Sequence, residues 1–357
     1  MVRAASLADN TLEQLARDAG IGLRLREPSR RETGLDVPAM PLQHALRSVI
    51  RQHTHRVAKA VCGSLAALSL SAAFAHAQTA PPLPAGVTLA DFEAGMAGAI
   101  RELENAPGLE GLSEQERREY IEFVAGNVMF ATAHEVGHML VRELGLPVLG
   151  REEDAVDAYA TLTGLRHVDT FSDRVLTNSA WGWFLSDQRD RAENYSTPFY
   201  DAHGLDKQRA YNIICLMVGG DPDRFGKLAD MSKMPADRQG DCQGDYSNAS
   251  WSWEKTLAPH IRTPDQPKTK FNVRYLDSDK YQALGRAFRQ VRILETLANH
   301  LTDRYVWRRP IDFVVLSCGT PNAHYDVATH SLTVCYELAA DFGNLYRGYG
   351  AKAKEKP

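Results

Sequence analysis

The sequence predicts an α+β protein that is mainly helical, with a small sheet contributed by its C-terminal part. Residues 113–165 carry apolar side chains at helical spacing, in two runs separated by a glycine- and proline-containing break. Residues 271–275, 311–317 and 331–337 are short β-rich runs, with a helical pattern after the first and the turn-like PNAHYD before the last. We therefore expect a C-terminal unit of the order β-α-β-β.

The composition of the chain is that of an ordinary globular protein. Its 357 residues are 44% hydrophobic and 24% charged, and the formal net charge is −4. This length suits one large domain or two small ones. The chain has no basic excess, so we expect no nucleic-acid partner.

The first 77 residues differ from the rest. Residues 1–39 are polar and arginine-rich, and we expect them to be unstructured or to follow a misassigned start. Residues 40–77 have a basic beginning, an apolar run at 60–74 and the tripeptide Ala-His-Ala at their end. This pattern predicts a signal peptide cleaved after residue 77, and the run is too short for a permanent membrane span. A membrane anchor is the alternative; after cleavage we expect an exported protein with no stable anchor.

Cleavage would leave four cysteines in the mature chain: Cys215, Cys242, Cys318 and Cys335. An even number in an exported protein indicates two disulfides, with three connectivities. The spacing favours Cys215–Cys242 and Cys318–Cys335, because each pair closes a local loop. Four reduced, buried cysteines are the alternative if the export signal is misread. No C-x-x-C pair occurs, so we expect no cysteine zinc site.

The first helical run has signals at both ends. Ser113 and Glu116 form the pattern of a capping box, and Gly145 and Pro147 supply a stop after Leu144. The apolar stripe between these ends predicts a buried helix.

Near its end, that helix contains the motif AHEVGHML. His134 and His138 are four positions apart and therefore share a face, so both imidazoles can bind one ion. Glu135 lies beside them, where its carboxylate can accept a proton from a water on that ion. This is the H-E-x-x-H arrangement of zinc peptidases.

The second helical run begins with three acids that could supply a third metal ligand: Glu152, Glu153 and Asp154. Glu153 has another carboxylate four positions on, Asp157, which could accept a hydrogen bond from a ligating histidine. We therefore predict that Glu153 binds the metal and that Asp157 orients a histidine. The alternative is that these acids merely favour a helix N-terminus.

HEVGH followed by GREEDAVDAYA is similar to the gluzincin arrangement, in which an E-x-x-x-D helix completes the zinc site. More narrowly, the chain resembles a family of bacterial exported proteins described as putative metallopeptidases, a domain of unknown function. Four segments carry this likeness: GNVMFATAHEVGHMLVRELGLPVLGREEDAVD, FYDAHGLDKQRAYNIICLMVGGDP, SWEKTLAPH and CGTPNAHYDVATHSLTVCYEL. The resemblance implies one Zn²⁺ held by His134, His138 and Glu153, with Glu135 as the base and Asp157 orienting a histidine. It also implies a secreted or periplasmic bacterial location.

Zinc peptidases often use a tyrosine or a histidine to stabilise the oxyanion. The segment FYDAHGLDKQRAYNIICL offers four donors: Tyr200, His203, Arg209 and Tyr211. We select His203 as the catalytic donor. For each of them, ordinary hydrogen bonding at a helix N-terminus is the alternative.

The motifs suggest a domain plan. We expect a helical metallopeptidase region at 78–262, a β-α-β-β unit at 263–345 and a tail at 346–357. Zincin folds usually place a sheet before the H-E-x-x-H helix and pair its edge strand with substrate. Too few residues precede the helix here, so we expect the β-α-β-β unit to complete a zincin-like catalytic domain in permuted order; an independent C-terminal domain is the alternative. His324 and His330, near the predicted turn, are expected to face solvent.

The predicted activity is zinc-dependent hydrolysis of a peptide or protein substrate. A second hypothesis is an exported module that binds zinc or captures peptides without turnover. A purely structural zinc site fits less well, because such sites usually have four protein ligands and favour cysteine.

Overall fold

The computed structural model describes residues 89–103, 109, 112–166 and 170–350. The expected signal peptide and the leader before it lie outside the described residues. Among the helices of the described ranges, none is both long and apolar enough to cross a membrane.

The part of the described chain before the sheet is helical. Its helices are α1 (Leu89–Glu102), α2 (Glu114–Leu144), α3 (Glu152–Leu165), α4 (Thr170–Ala192), α5 (Asp206–Gly220), α6 (Pro222–Met231) and α7 (Ala236–Leu257). The disulfide Cys215–Cys242 joins α5 to α7.

Helix α2 begins and ends where its sequence signals predict. The Ser113 side chain accepts a hydrogen bond from the Glu116 amide, and the Glu116 carboxylate accepts one from the Ser113 amide at 2.8 Å. Gly145 follows the helix with φ 66°, a left-handed conformation that glycine adopts without strain. The predicted capping box and stop are thus confirmed.

The C-terminal part contains a four-stranded sheet of the order β1-β2-β4-β3. Its elements are β1 (Asn272–Tyr275), α8 (Gln282–Val291), α9 (Ile293–Arg304), β2 (Asp312–Leu316), β3 (Ala323–Asp326), β4 (Ser331–Cys335) and α10 (Tyr336–Leu345). Strands β1, β2 and β4 are parallel, whereas β3 is antiparallel to β4. The α+β, mainly helical class is confirmed.

The C-terminal unit differs from the expected order β-α-β-β in two details. The AHYD part of the predicted turn is strand β3, which forms a hairpin with β4, and β2 runs parallel to β4. The single helix expected after β1 is two helices, because Arg292 has φ 56° between them. Strand β3 lacks an apolar pattern and is defined by its partners in space, which local spacing does not show.

Strand β3 is an edge strand, and its register with β4 determines which of its main-chain N–H and C=O groups do not bond β4. The Asn322 carbonyl accepts a hydrogen bond from the Cys335 amide at 3.0 Å. Because bonded and non-bonded pairs alternate in an antiparallel ladder, Ala323 and Tyr325 turn their N–H and C=O groups away from β4. The disulfide Cys318–Cys335 ties the chain before β3 to the end of β4.

The sheet and α2 share one apolar core. Its fully buried side chains include Val136, Met139 and Leu140 of α2 and, from the sheet, Phe313, Val315, Leu332 and Val334. Complete burial of each such side chain stabilises the fold by about 1.5–3 kcal/mol. This shared core places β3 beside the end of α2 that carries the H-E-x-x-H motif.

Candidate metal centre

Helices α2 and α3 come very close together at the motif. A Cβ atom built on Gly137 would lie 2.7 Å from the Cβ atom of Val156, so only glycine permits this approach. Gly137 precedes His138, and Val156 lies between Glu153 and Asp157. The contact therefore brings the acids of α3 to the histidines of α2.

Three side-chain atoms from these helices converge. Glu153 Oε2 lies 3.1 Å from His134 Nε2 and 3.4 Å from His138 Nε2. The two Nε2 atoms are 3.2 Å apart. His134 is buried, and the other two residues are partly buried. The predicted ligand trio thus forms a cluster whose donor atoms all lie within 4.8 Å of one another.

Each histidine is oriented through its second ring nitrogen. His134 Nδ1 lies 2.7 Å from Asp157 Oδ1, and His138 Nδ1 lies 2.8 Å from Glu152 Oε1. A carboxylate at Nδ1 favours the tautomer with the proton there and the lone pair on Nε2. Asp157 thus contacts His134, as the sequence predicts. The contact of Glu152 with His138 is not predicted, because the sequence indicates Glu152 only as a possible ligand or as an acid at a helix N-terminus. Arg142 holds Glu152 through its second oxygen, at 2.8 Å.

The acid behind His134 is itself held by Arg209. Arg209 Nε and Nη2 donate to the two oxygens of Asp157 at 2.7 and 2.8 Å, and the guanidinium lies 3.7 Å from the centre of the Trp183 ring. Burial works to raise the pKa of Asp157, but the bonds from His134 and Arg209 keep it below its usual value. Arg209, which the sequence predicts as a possible oxyanion donor, therefore holds Asp157 and through it orients His134.

The cluster fits a divalent cation. The two Nε2 atoms and Glu153 Oε2 lie within 3.4 Å of one another, and Glu153 Oε2 has no partner with good hydrogen-bond geometry among the described residues. Three acceptors so close together, and largely removed from water, repel unless a cation or a proton lies between them. Two imidazoles and one carboxylate suit zinc and leave a further coordination position open.

The electrostatics of the metal-free cluster reflect this crowding. Although burial acts against the charged form, the hydrogen bond to Asp157 and the close contact with Glu153 raise the pKa of His134 to about 9. Burial likewise opposes ionisation of Glu153, yet the neighbouring imidazoles hold its pKa below the usual range. In the absence of metal, the histidines therefore retain protons that an ion would displace.

Glu135 lies at the side of the cluster, toward the sheet. Its Oε2 accepts a hydrogen bond from the main-chain amide of Tyr325 at 3.0 Å. Burial raises the pKa of Glu135, while the neighbouring histidines act to lower it. The contact with Tyr325 was missed, because this tyrosine is 190 positions away in the chain and donates through its main chain.

His203 lies in the loop before α5 and contacts the cluster through Glu153. Its Nε2 is 3.0 Å from Glu153 Oε2, and its Nδ1 is 3.3 Å from Asp201 Oδ1. The contact with Glu153 raises the pKa of His203, whose side chain is 47% exposed. A partly exposed histidine that faces two carboxylates tends to be protonated and can donate. Tyr200 is 91% exposed, and the Tyr211 hydroxyl bonds the Ser232 carbonyl.

Residues 101–257 and 275–357 match the model of a protein family described as "Putative metallopeptidase". The chain belongs to this family. No curated protein and no solved structure matches the chain. The first matched segment of this metallopeptidase family contains the two histidines and Glu153, and the second contains β3, so the family match includes both sides of the site.

Proposed function

We propose that this family member is an exported, zinc-dependent peptidase in which His134, His138 and Glu153 hold the ion and Glu135 is the general base. One observation carries the proposal. Two imidazole nitrogens and one carboxylate oxygen converge within 4.8 Å of one another, the carboxylate oxygen has no partner with good hydrogen-bond geometry, and a second carboxylate lies beside them. Structural zinc sites, by contrast, usually have four protein ligands and no adjacent base.

When bound, zinc would polarise a substrate carbonyl and lower the pKa of a water. Glu135 takes the proton from the attacking water and passes it to the leaving amine. The amide of Tyr325 fixes one oxygen of the Glu135 carboxylate, which leaves the other free for the proton. Burial raises the pKa of Glu135, and a carboxyl group with a raised pKa is a better acceptor near neutral pH.

His203 is the proposed donor to the oxyanion. Its imidazole lies beside Glu153 on the exposed side of the cluster, and its pKa is raised by that acid. A protonated imidazole at this position donates to a carbonyl oxygen that gains charge as the water attacks.

The open edge of β3 is the proposed place for an extended substrate. The Ala323 N–H and C=O and the Tyr325 C=O point away from β4, so a polypeptide can add a strand there. The Tyr325 amide is already used by Glu135, which puts the edge next to the base. On this view, residues 78–262 and 263–345 build one catalytic domain with the sheet in permuted order.

Two disulfides fit an exported protein, because such bonds persist in oxidising compartments. We place the mature enzyme in the periplasm or outside the cell, after removal of residues 40–77 as a signal peptide.

The test uses the mature protein purified without added metal. Zinc content is measured first, and cleavage of a library of unstructured peptides is then followed by mass spectrometry, with and without a chelator. We expect about one zinc per chain and cleavage that the chelator stops and zinc restores. Peptides that bind but remain intact under all conditions would support the capture module instead.

A further inference from the structure

Glu143 is a partly buried acid on α2 that the proposed chemistry does not use. Its side chain is 8% exposed. Its Oε1 accepts a hydrogen bond from the Tyr325 hydroxyl at 2.6 Å and lies 2.7 Å from His330 Nδ1. Arg309 completes the group, with its Nη1 2.8 Å from His330 Nε2 and its Nε 3.8 Å from Glu143 Oε2. His330, expected to face solvent, instead joins the β3–β4 turn to α2.

Tyr325 therefore contacts α2 twice. Its main-chain amide donates to Glu135, and its side-chain hydroxyl donates to Glu143, eight positions later on the same helix. Burial, together with the bond to Glu143, raises the pKa of Tyr325, so the hydroxyl stays protonated and remains a donor. Hydrogen bonds from a hydroxyl to a carboxylate are short and about twice as strong as neutral ones.

The two hydrogen bonds of Tyr325 join the edge strand β3 to α2. Strand β3 pairs with β4 on one side only. On the other side, the position of the Tyr325 amide depends on contacts with α2. If the hydroxyl loses its partner, β3 can move away from α2, and the Glu135 carboxylate loses the donor that orients it.

We infer that Glu143 and Tyr325 are positioning residues for the general base, because they fix β3 so that the Tyr325 amide holds the Glu135 carboxylate. The inference rests on the proposed function, since it assigns a purpose to the orientation of Glu135. It predicts that the Tyr325 hydroxyl, which lies on β3 away from the metal ligands, affects turnover without affecting metal binding.

A tyrosine–glutamate hydrogen bond that only stabilises the fold would not affect kcat. The chain contains such a bond, which serves as a matched control. Tyr275 on β1 donates its hydroxyl to Glu295 Oε2 at 2.6 Å, in a partly buried contact. This pair has the same chemistry and the same length as Tyr325 with Glu143. It lies at the opposite edge of the sheet.

The experiment compares Tyr325→Phe with Tyr275→Phe in the mature protein. Both variants keep the ring and lose one hydroxyl bond, so we expect similar falls in the unfolding temperature and unchanged zinc content. Only Tyr325→Phe should lower kcat, by roughly 10- to 100-fold, because small displacements of a reacting group cost that much. The change in KM should be smaller than the change in kcat. Equal kcat values for the two variants would overturn the inference.

Substitution of the acid gives a second readout. Glu143→Gln retains an oxygen that can accept from the Tyr325 hydroxyl, whereas Glu143→Ala does not. We expect the glutamine variant to keep most of the parental kcat and the alanine variant to match Tyr325→Phe. If both lose kcat equally, or neither does, the hydroxyl bond does not position the base.

Hydrogen exchange separates this inference from the proposed function. The Tyr325 amide should exchange slowly in the parent and in Tyr275→Phe, but fast in Tyr325→Phe. If the parent cleaves no peptide, the peptidase proposal fails while the exchange still tests whether Glu143 and Tyr325 hold this amide on Glu135. If the parent cleaves peptides and the Tyr325 amide exchanges equally in all three proteins, the inference alone fails.

Discussion

Arg209 donates hydrogen bonds to both carboxylate oxygens of Asp157, and one of these oxygens also bonds His134 Nδ1. The guanidinium also lies 3.7 Å from the centre of the Trp183 ring. Nε2 of His134 is thus the end of a series of contacts that runs from the Trp183 ring through Arg209 and Asp157. Such outer partners fix the tautomer and the direction of a metal-binding imidazole.

The first prediction concerns this support. Asp157→Asn removes the charge that orients His134 and leaves Arg209 buried beside an amide. We expect zinc affinity to fall by about 10- to 100-fold, as measured by competition with a chelator of known affinity. Stability should fall by about 3–5 kcal/mol, because a buried cation loses its partner.

The control for this prediction is Asp173→Asn. Asp173 also receives a bond from an arginine, Arg224, whose Nε lies 2.8 Å from it, but no histidine of the cluster contacts it. Zinc affinity should be unchanged in that variant. Equal zinc affinity in Asp157→Asn and the parent would show that the acid does not support the site.

The second prediction concerns the base. Glu135→Gln keeps the size of the side chain and the hydrogen-bond acceptor for Tyr325, but it cannot take up a proton. We expect normal zinc content and a fall in kcat of about 10²- to 10⁴-fold, as measured by peptide cleavage. Glu122→Gln is the control: Glu122 pairs with Arg174 and lies 12 positions before His134, about 18 Å along the helix. If Glu135→Gln cleaves as fast as the parent, another group is the base.

The features of this site that depend on residues close together in the chain can be predicted from the sequence. Histidines four apart, a capping box and a terminal glycine are short-range patterns, and each element that they predict is present. Glu153 could be distinguished from its neighbours because Asp157 lies one helical turn later, which is also a local relationship.

The remaining parts depend on contacts between distant segments. Arg209 meets Asp157 across 52 positions, and Tyr325 meets Glu143 across 182. Nothing in the spacing around either residue identifies such a partner. The sequence predicts a turn in place of strand β3 for the same reason, since the pairing with β4 and the contacts with α2 define this strand.

The third prediction concerns pH and the metal-free protein. The pKa of His134 is raised to about 9 in the folded state, against an ordinary value near 6.5. Between these values the folded protein binds more protons than the unfolded chain does, so its stability is fully present below about pH 6.5 and is lost as the pH rises through 9. The pKa values of His138 and His203 are raised as well, which adds to the effect in the same direction.

Urea unfolding with a chelator at pH 6, 7.5 and 9 measures this dependence. We expect the midpoint to fall over the series. Saturating zinc should reverse the trend, because the ion binds the deprotonated imidazoles and its affinity rises with pH. A metal-free midpoint that rises from pH 6 to 9 would show that the histidines are not held by the acids of α3.

The fourth prediction concerns the glycine within the motif. Gly137→Ala would add a methyl group 2.7 Å from Val156 Cβ and 3.2 Å from its Cα, so α3 has to move away from α2. Alanine favours a helix over glycine by about 1 kcal/mol, but overpacking of this kind costs about 1–3 kcal/mol. The effect on overall stability is therefore small or unfavourable. The effect on the site is large, because the displaced helix carries Glu153 and Asp157.

We expect Gly137→Ala to lower zinc affinity at least tenfold, as a misplaced ligand or orienting acid does. Gly240→Ala on α7 is the control, since nothing lies within 4 Å of its added methyl group, and it should stabilise the protein without changing zinc affinity. Zinc titration of both variants decides the point. If Gly137→Ala binds zinc as tightly as the parent, the close approach of α2 and α3 does not set the distance between the histidines and Glu153.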